Sequence, residues 1–349
     1  MASFSQSLYV LALFAVLALW NSRVTMSRKL VELEAWSPKR HEQWMVEHGK
    51  YYKDVAEKEK RYQIFKENVE FIESFNANNK NLTFKLGVNQ FADQTFEEFK
   101  ASSLNGKKGS LGLMGMEEIK TPFRYENVTD IPETIDWRKR GAVTPIKDQK
   151  DCGSCWAFAT VATVESIHQI STGKLESLSE QELVDCVRGK SGGCNGGFME
   201  DAFKFIAKKG GIASEAKYPY KHVDRTCNSK KKEPVASIKG YEKVPKNNEK
   251  ALLKAVANQP VGVDIEAGQK AFQFYSGGVF AGKCGTKTDH DVAVVGYGST
   301  EDGTKYWIVK NSWGKNWGEN GYMRMKRDIK SNKGLCGLAM NPLYPVAFA

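Results

Sequence analysis

Seven cysteines lie between Cys152 and Cys336, and the first 151 residues of this 349-residue chain hold none. An odd cysteine count matters most in an exported protein. The N-terminus carries an apolar run, Leu8 to Trp20, followed by polar Asn21-Ser22-Arg23. A bilayer-spanning helix needs about 20 apolar residues, so this run is too short to span. Its place and length predict a secretory signal peptide over residues 1–24, cleaved somewhere between Trp20 and Ser27, although its leading segment lacks Lys and Arg. In an oxidising compartment six cysteines can pair and one is left over. A leftover thiol there is either a hazard or a tool, and it is the first functional clue.

The rest of the chain divides by composition. Residues from Ile131 onward carry 33 Lys+Arg against 24 Asp+Glu, whereas Arg28 to Asp130 is balanced at 17 of each. The basic charges are mostly scattered, with Lys230-Lys231-Lys232 a tight run, which reads as a solvated surface rather than a nucleic-acid face. Residues 28–100 read as helical. Glu57, Arg61, Phe65, Asn68, Ile72 and Asn76 follow at steps of three or four and share one helix face, half of it polar. Ser102 to Gly115 is glycine-rich and contains Lys107-Lys108, so it reads as a flexible, protease-accessible linker. Beyond it, Cys155 to about Ile170 predicts a helix, and Ser179-x-x-Glu182 a capping box opening another. Val261–Ile265, Val292–Tyr297 and Tyr306–Val309 are β-branched and aromatic and predict strands. A helical half followed by a stranded half indicates an α+β class.

The pair Cys152-Gly-Ser-Cys155 reads either as a redox couple or as a structural cysteine beside a nucleophile. Cysteine parity favours the second reading. So does position, because the first turn of a helix favours the thiolate. A thiolate nucleophile still needs a base. Of the five histidines, His290 differs in opening a predicted strand. A turn at Asp302-Gly303 folds that strand back on the next and brings His290 toward Asn311, whose amide can fix the imidazole tautomer. An indole nearby, from Trp313 or Trp317, would shield such a bond from water.

Cys152-Gly-Ser-Cys-Trp-Ala-Phe158 resembles the nucleophile segment of the papain family, a pattern the general rule places about 130–150 residues before its His and Asn. Here those distances are 135 and 156 residues. Asp136-Trp-Arg138, Gly141-Ala-Val-Thr-Pro145, Cys194-Asn-Gly-Gly197 and Asn311-Ser-Trp-Gly314 are also similar to that family. The helix face at 57–76 matches its ERFNIN prodomain signature, and Gly87-x-Asn89-x-Phe91-x-Asp93 its second prodomain motif. The resemblance spans roughly residues 36 to 346.

It implies a papain-like two-domain fold, a helical left domain and a β-barrel-like right domain, with residues 25–130 as an inhibitory prodomain and 131–349 as the peptidase. It implies Cys155, His290, Asn311 and Gln149 as catalytic residues, Gln149 serving the oxyanion hole with the Cys155 N–H. It implies Gly196 and Gly197 as a substrate-pairing edge, and Phe198, Met199, Ala267, Asp289, Asp291, Trp313 and Asn341 as further substrate-site residues. The implied disulfides are Cys152–Cys194, Cys186–Cys227 and Cys284–Cys336. The expected partners are protein and peptide substrates, the chain's own prodomain as intramolecular inhibitor, and cystatin-like inhibitors. A monomer is expected, without cofactor, metal, nucleic acid or membrane, routed to a vacuole-like or lysosome-like compartment or outside the cell. Sequons at Asn81 and Asn127 both precede the expected mature start near Ile131. The chain departs from the family at Lys150-Asp151, where glycine follows the oxyanion glutamine, and at Asp291, where a small residue follows the histidine. Asp291 is expected to favour a cationic side chain two residues before the scissile bond and to favour imidazolium at His290. The rival readings are a weak or inactive homologue that binds or stores peptides, and a thiol–disulfide oxidoreductase.

Overall fold

The computed structural model describes residues 37–104, 123–189, 191–228 and 233–348. The expected signal peptide, the Lys107-Lys108 pair of the linker and the Lys230–Lys232 run lie outside the described residues. The described chain forms two compact units whose boundary, Glu70/Phe71, falls inside a helix.

The first unit holds helix α1 (Pro38–His48) and the start of α2 (Val55–Asn78). Pro38 takes the first helical turn, where its missing N–H costs nothing, and the Ser37 side chain caps the Arg40 N–H. Gly49 ends the helix at φ 60°, in the left-handed region that glycine tolerates. His41 stacks with Trp44 and Tyr52, and Phe65 lies 5.2 Å from Trp44, centroid to centroid. On the face singled out in sequence, Glu57 and Arg61 form an i,i+4 ion pair at 2.7 Å.

The second unit explains a further polar position of that face, Asn76. Asn76 clasps the backbone of Leu86, its Nδ2 donating to the carbonyl and its Oδ1 accepting the N–H. The expected helical stretch over 28–100 is therefore interrupted: strand β1 (Phe84–Leu86) and a tight turn separate α2 from α3 (Phe96–Ser103). The reason is pairing, because β1 joins β5 (Tyr275–Phe280) antiparallel. Thr95 and Glu98 form a complete capping box at the start of α3.

Next come β2 (Ile135–Asp136) and α4 (Cys155–Thr172), in which every residue from Cys155 to Ile167 is buried. A helix buried on all sides over this length belongs inside a core. It packs with α5 (Glu180–Cys186) and α6 (Met199–Lys209) around Trp156, Leu183, Phe203 and Ile206. The expected capping box at Ser179 is half formed. Ser179 accepts from Glu182 N–H, but the Glu182 carboxylate turns inward to Ala213 N–H and Lys209 instead. The stranded half contains β3 (Gly240–Lys243), α7 (Glu249–Asn258), β4 (Val261–Ile265), α8 (Lys270–Gln273), β5, β6 (His290–Ser299), β7 (Lys305–Lys310), β8 (Tyr322–Lys326) and β9 (Leu343–Val346). Strand order is β1-β5-β8-β7-β6-β4-β9-β3, with β2 on β6, and among the described residues only the β5–β8 strand pair is parallel. Disulfides Cys152–Cys194 and Cys186–Cys227 tie the helical half, and Cys284–Cys336 the stranded half. Cys155 stands outside these bridges. Among the described residues no helix is long and apolar enough to cross a membrane.

Candidate active site

Cys155 is the first residue of α4, where the helix dipole stabilises a thiolate. The loop before it is fixed from three sides. Cys152 is bridged to Cys194, Gly153 N–H donates to the Cys194 carbonyl at 2.9 Å, and Ser154 Oγ bonds the Tyr220 hydroxyl at 2.7 Å. Tyr220 in turn donates to the Gln149 carbonyl. The bridge to Cys194 commits Cys152 to structure, which removes the redox-couple reading.

His290 opens β6, and α4 packs along that strand, Ala162 meeting Ala293 and Val295. The imidazole Nε2 lies 2.7 Å from Asn311 Oδ1, and both residues are buried. Asn311 follows β7 directly, and the Ser312 N–H also donates to its Oδ1, so the amide is held in orientation. Trp313 stacks on the ring at 4.5 Å. The other ring nitrogen, Nδ1, is buried and makes no hydrogen bond within the described residues. Burial pulls the His290 pKa down to about 4, against the opposing bond from Asn311. In the precursor this burial outweighs the support for imidazolium expected of Asp291. Successive strand residues point to opposite faces, so the aspartate does not offset the desolvation of its neighbour.

Gln149 joins the two walls. Its N–H donates to the Ser312 carbonyl, its Oε1 accepts from Ser312 Oγ at 2.6 Å, and its Nε2 donates to the Cys152 carbonyl at 2.9 Å. The same Nε2 lies 3.2 Å from the Ser103 carbonyl, which also accepts from Trp313 Nε1. Residues 84–104 thus dock on this site. Asn89 Nδ2 donates to the Gln273 carbonyl, Gln90 Nε2 to that of Trp313, and Phe91 and Phe99 pack edge-on against the indole. Leu104 lies across the cleft. A Cβ added to Gly153 would come within 3.3 Å of its carbonyl oxygen, and one added to Gly268 within 3.7 Å of its Cδ1.

Gly196 sits at φ 108°, a conformation reserved for glycine. Gly197 needs to be glycine for a different reason than an approaching substrate: a Cβ there would lie 2.4 Å from the Trp156 indole. Phe198 and Met199 open α6, with Met199 buried. Ala267 and Gly268 donate their N–H groups to Asp289, whose pKa burial raises to about 6. Asp291 is buried, and Asn341 lies near β9 with its Nδ2 bonded to two carboxylates. Lys150 adopts φ 56°, which accounts for glycine at this position in the family. Its ammonium pairs with Asp148, and Asp151 with His222.

Sequence reasoning missed a buried ionic group beneath the site. Glu165 of α4 accepts from Lys147 Nζ at 2.8 Å and from Thr144 Oγ1, and Lys310 Nζ donates to both Thr144 oxygens. Lys147 and Lys310 sit two residues and one residue before Gln149 and Asn311, so one carboxylate on the Cys155 helix anchors both segments. A charged residue within a mostly buried helix, Glu165 in α4, was the available signal. Ser312, the partner of Gln149, carried none.

The Papain family cysteine protease profile matches residues 131–346, and the cathepsin propeptide inhibitor profile matches residues 41–99. The chain is 56% identical over 329 residues to a senescence-specific cysteine protease, SAG39, of Oryza sativa subsp. indica, covering 93% of this chain and 95% of that one. It is 53% identical over 340 residues to the senescence-specific cysteine protease SAG12 of Arabidopsis thaliana, covering 95% and 97%. Among solved structures, a recombinant stem bromelain precursor matches with TM-score 0.81 and 47% identity over 89% of this chain and 99% of that chain. The ragweed pollen allergen Amb a 11 in its proform matches with TM-score 0.84 and 43% identity, over 91% and 98%.

Proposed function

The chain belongs to the papain family of cysteine proteases and is a cysteine endopeptidase made as a zymogen, and on that premise we propose how its own residues carry out the reaction. The observation that carries the reading is the anchored pair: His290 held by Asn311 under Trp313, beside the helix that begins with Cys155. Cys155 gives its proton to His290, and the thiolate attacks the scissile carbonyl. The oxyanion takes hydrogen bonds from Gln149 Nε2 and the Cys155 N–H. His290 then protonates the leaving amine, and water hydrolyses the acyl-enzyme with His290 as base. Asn311 fixes the tautomer throughout.

In the precursor the Ser103 carbonyl occupies the Gln149 amide donor and Leu104 fills the cleft, so the prodomain inhibits by taking the place of substrate. Buried His290 is also held neutral there, which disfavours the ion pair with the thiol. Residues 25–130 are the inhibitory prodomain in this reading. Cutting falls near Ile131, where Thr129 to Thr134 lack regular structure and are mostly exposed. Asn81 and Asn127 are exposed and would carry glycans lost with the prodomain. Residues 1–24 direct the chain into the secretory pathway, toward a vacuole-like compartment or the exterior. The mature enzyme is a monomer that cystatin-like proteins inhibit.

The test is Cys155→Ser. The variant is expected to keep the precursor's melting temperature, to lose peptide hydrolysis and self-processing, and to resist labelling by a thiol-reactive epoxysuccinyl peptide. Hydrolysis at the wild-type rate would overturn the assignment.

A further inference from the structure

In the β4–β6 pairing, Asp264 stands directly opposite Asp291, one step along from Ile265 opposite His290. Like charges directly opposite on neighbouring strands repel, and a sequence that breaks a local rule beside its active site usually does so for function. The side-chain face is fixed by its neighbours. Ala293 and Val295 on the same face as Asp291 pack with Ala162 of α4. Gly262, on the same face as Asp264, is so close to α6 that a Cβ there would lie 2.6 Å from Met199 Sδ. The aspartate pair therefore turns toward the helices that begin with Cys155 and Met199. Asn341 completes the surround. Its Nδ2 lies 3.3 Å from both Asp264 Oδ2 and Glu200 Oε1, while its Oδ1 is buried with no hydrogen-bond partner among the described residues. Lys243 Nζ is 3.8 Å from Glu200 Oε1.

We propose that Asp264, missed in the sequence, acts with Asp291 as a specificity-determining pair that selects an arginine or lysine side chain two residues before the scissile bond. The proposal rests on the endopeptidase reading above. A peptide strand laid along Gly196–Gly197 alternates its side chains, so one of them enters between Met199 and the aspartates. The aliphatic stem of arginine lies along Phe198 and Met199, and its planar head offers five donors to two carboxylates and to Asn341 Oδ1. An apolar side chain at this position takes water from the carboxylates and returns no hydrogen bond, and an acidic one brings a third carboxyl group with no donor to meet it.

The experiment uses activated enzyme, its active sites counted with an epoxysuccinyl thiol probe, and fluorogenic dipeptide amides with Arg, citrulline, Leu or Glu before a common residue. Asp264→Asn, Asp291→Asn and the double variant are compared with wild type. The wild type is expected to prefer Arg over its uncharged isostere citrulline by about tenfold or more in kcat/KM, the worth of one charge-assisted bond. Asp264→Asn is expected to lower the Arg:Leu ratio by about tenfold, and the double variant further. An Arg:Leu ratio within twofold of wild type in Asp264→Asn, with sites titrating normally, would overturn the proposal alone. Should that variant fail to fold, equal wild-type rates on Arg and citrulline would overturn it. A wild type with neither titratable Cys155 nor hydrolysis would overturn the endopeptidase reading, and the proposal with it.

Discussion

Asn311→Ala tests the anchored pair most directly. The bond to His290 Nε2 is 2.7 Å long and is shut away from water by Trp313 at 4.5 Å. Truncating the amide removes the acceptor but not the buried ring N–H, and leaving a buried donor unsatisfied costs about 1–3 kcal/mol. Because the anchoring bond supports the charged imidazole, that cost is borne in the transition state, about 5- to 150-fold in kcat/KM. The bond also raises the His290 pKa, so its loss moves the imidazolium form to lower pH and the alkaline limb of activity moves down with it. The assay is kcat/KM against pH on a fluorogenic dipeptide amide, with active sites counted by thiol titration and folding checked by melting temperature. Activity within twofold of wild type, with an unmoved alkaline limb, would refute the claim that Asn311 orients the base.

Phe99 is fully buried against Trp313, and deleting a buried phenylalanine costs about 3–5 kcal/mol, so Phe99→Ala should loosen the docked prosegment. The precursor should then process itself faster in a gel time course; an unchanged rate would count against docking through the indole. Replacing both Cys152 and Cys194 by serine removes one bridge and should cost about 2–5 kcal/mol, read as a lower melting temperature, whereas an unmoved one would deny that bridge a structural role. Burial raises the Glu180 pKa, with Glu165 and Glu215 adding to the shift and Lys147 opposing it. A raised folded-state value means this group supports the fold fully below its unfolded value of 4.5 and progressively less as pH rises from there toward neutrality. Glu180→Gln stays neutral, so its melting temperature should gain on wild type from pH 5 to pH 7.5. A constant difference would rule this out.

The family and the α+β class were legible in the sequence because they rest on local chemistry. A cysteine at a helix start, a Ser-x-x-Glu cap, β-branched strands and a turn pair each act over a few residues. The helix face at 57–76 was visible as a pattern, but its polar positions are explained only by their partners in the folded chain. Asn76 was selected by the Leu86 backbone and Glu57 by Arg61. Tertiary structure alone decided the rest. A strand broke the expected helical region because β1 found β5, 189 residues away by the Leu86–Tyr275 pairing. Gly197 is glycine because of an indole 41 residues earlier, and Gln149 is anchored by Ser312 and covered by Ser103. His290 is neutral because burial outweighs any charge its own segment supplies. Asp264 gained meaning only when strand register set it opposite Asp291. Propensity and periodicity report a residue's near neighbours in the chain. Pairing register, desolvation and close approach depend on residues brought together from distant parts of the chain, and no local pattern encodes them.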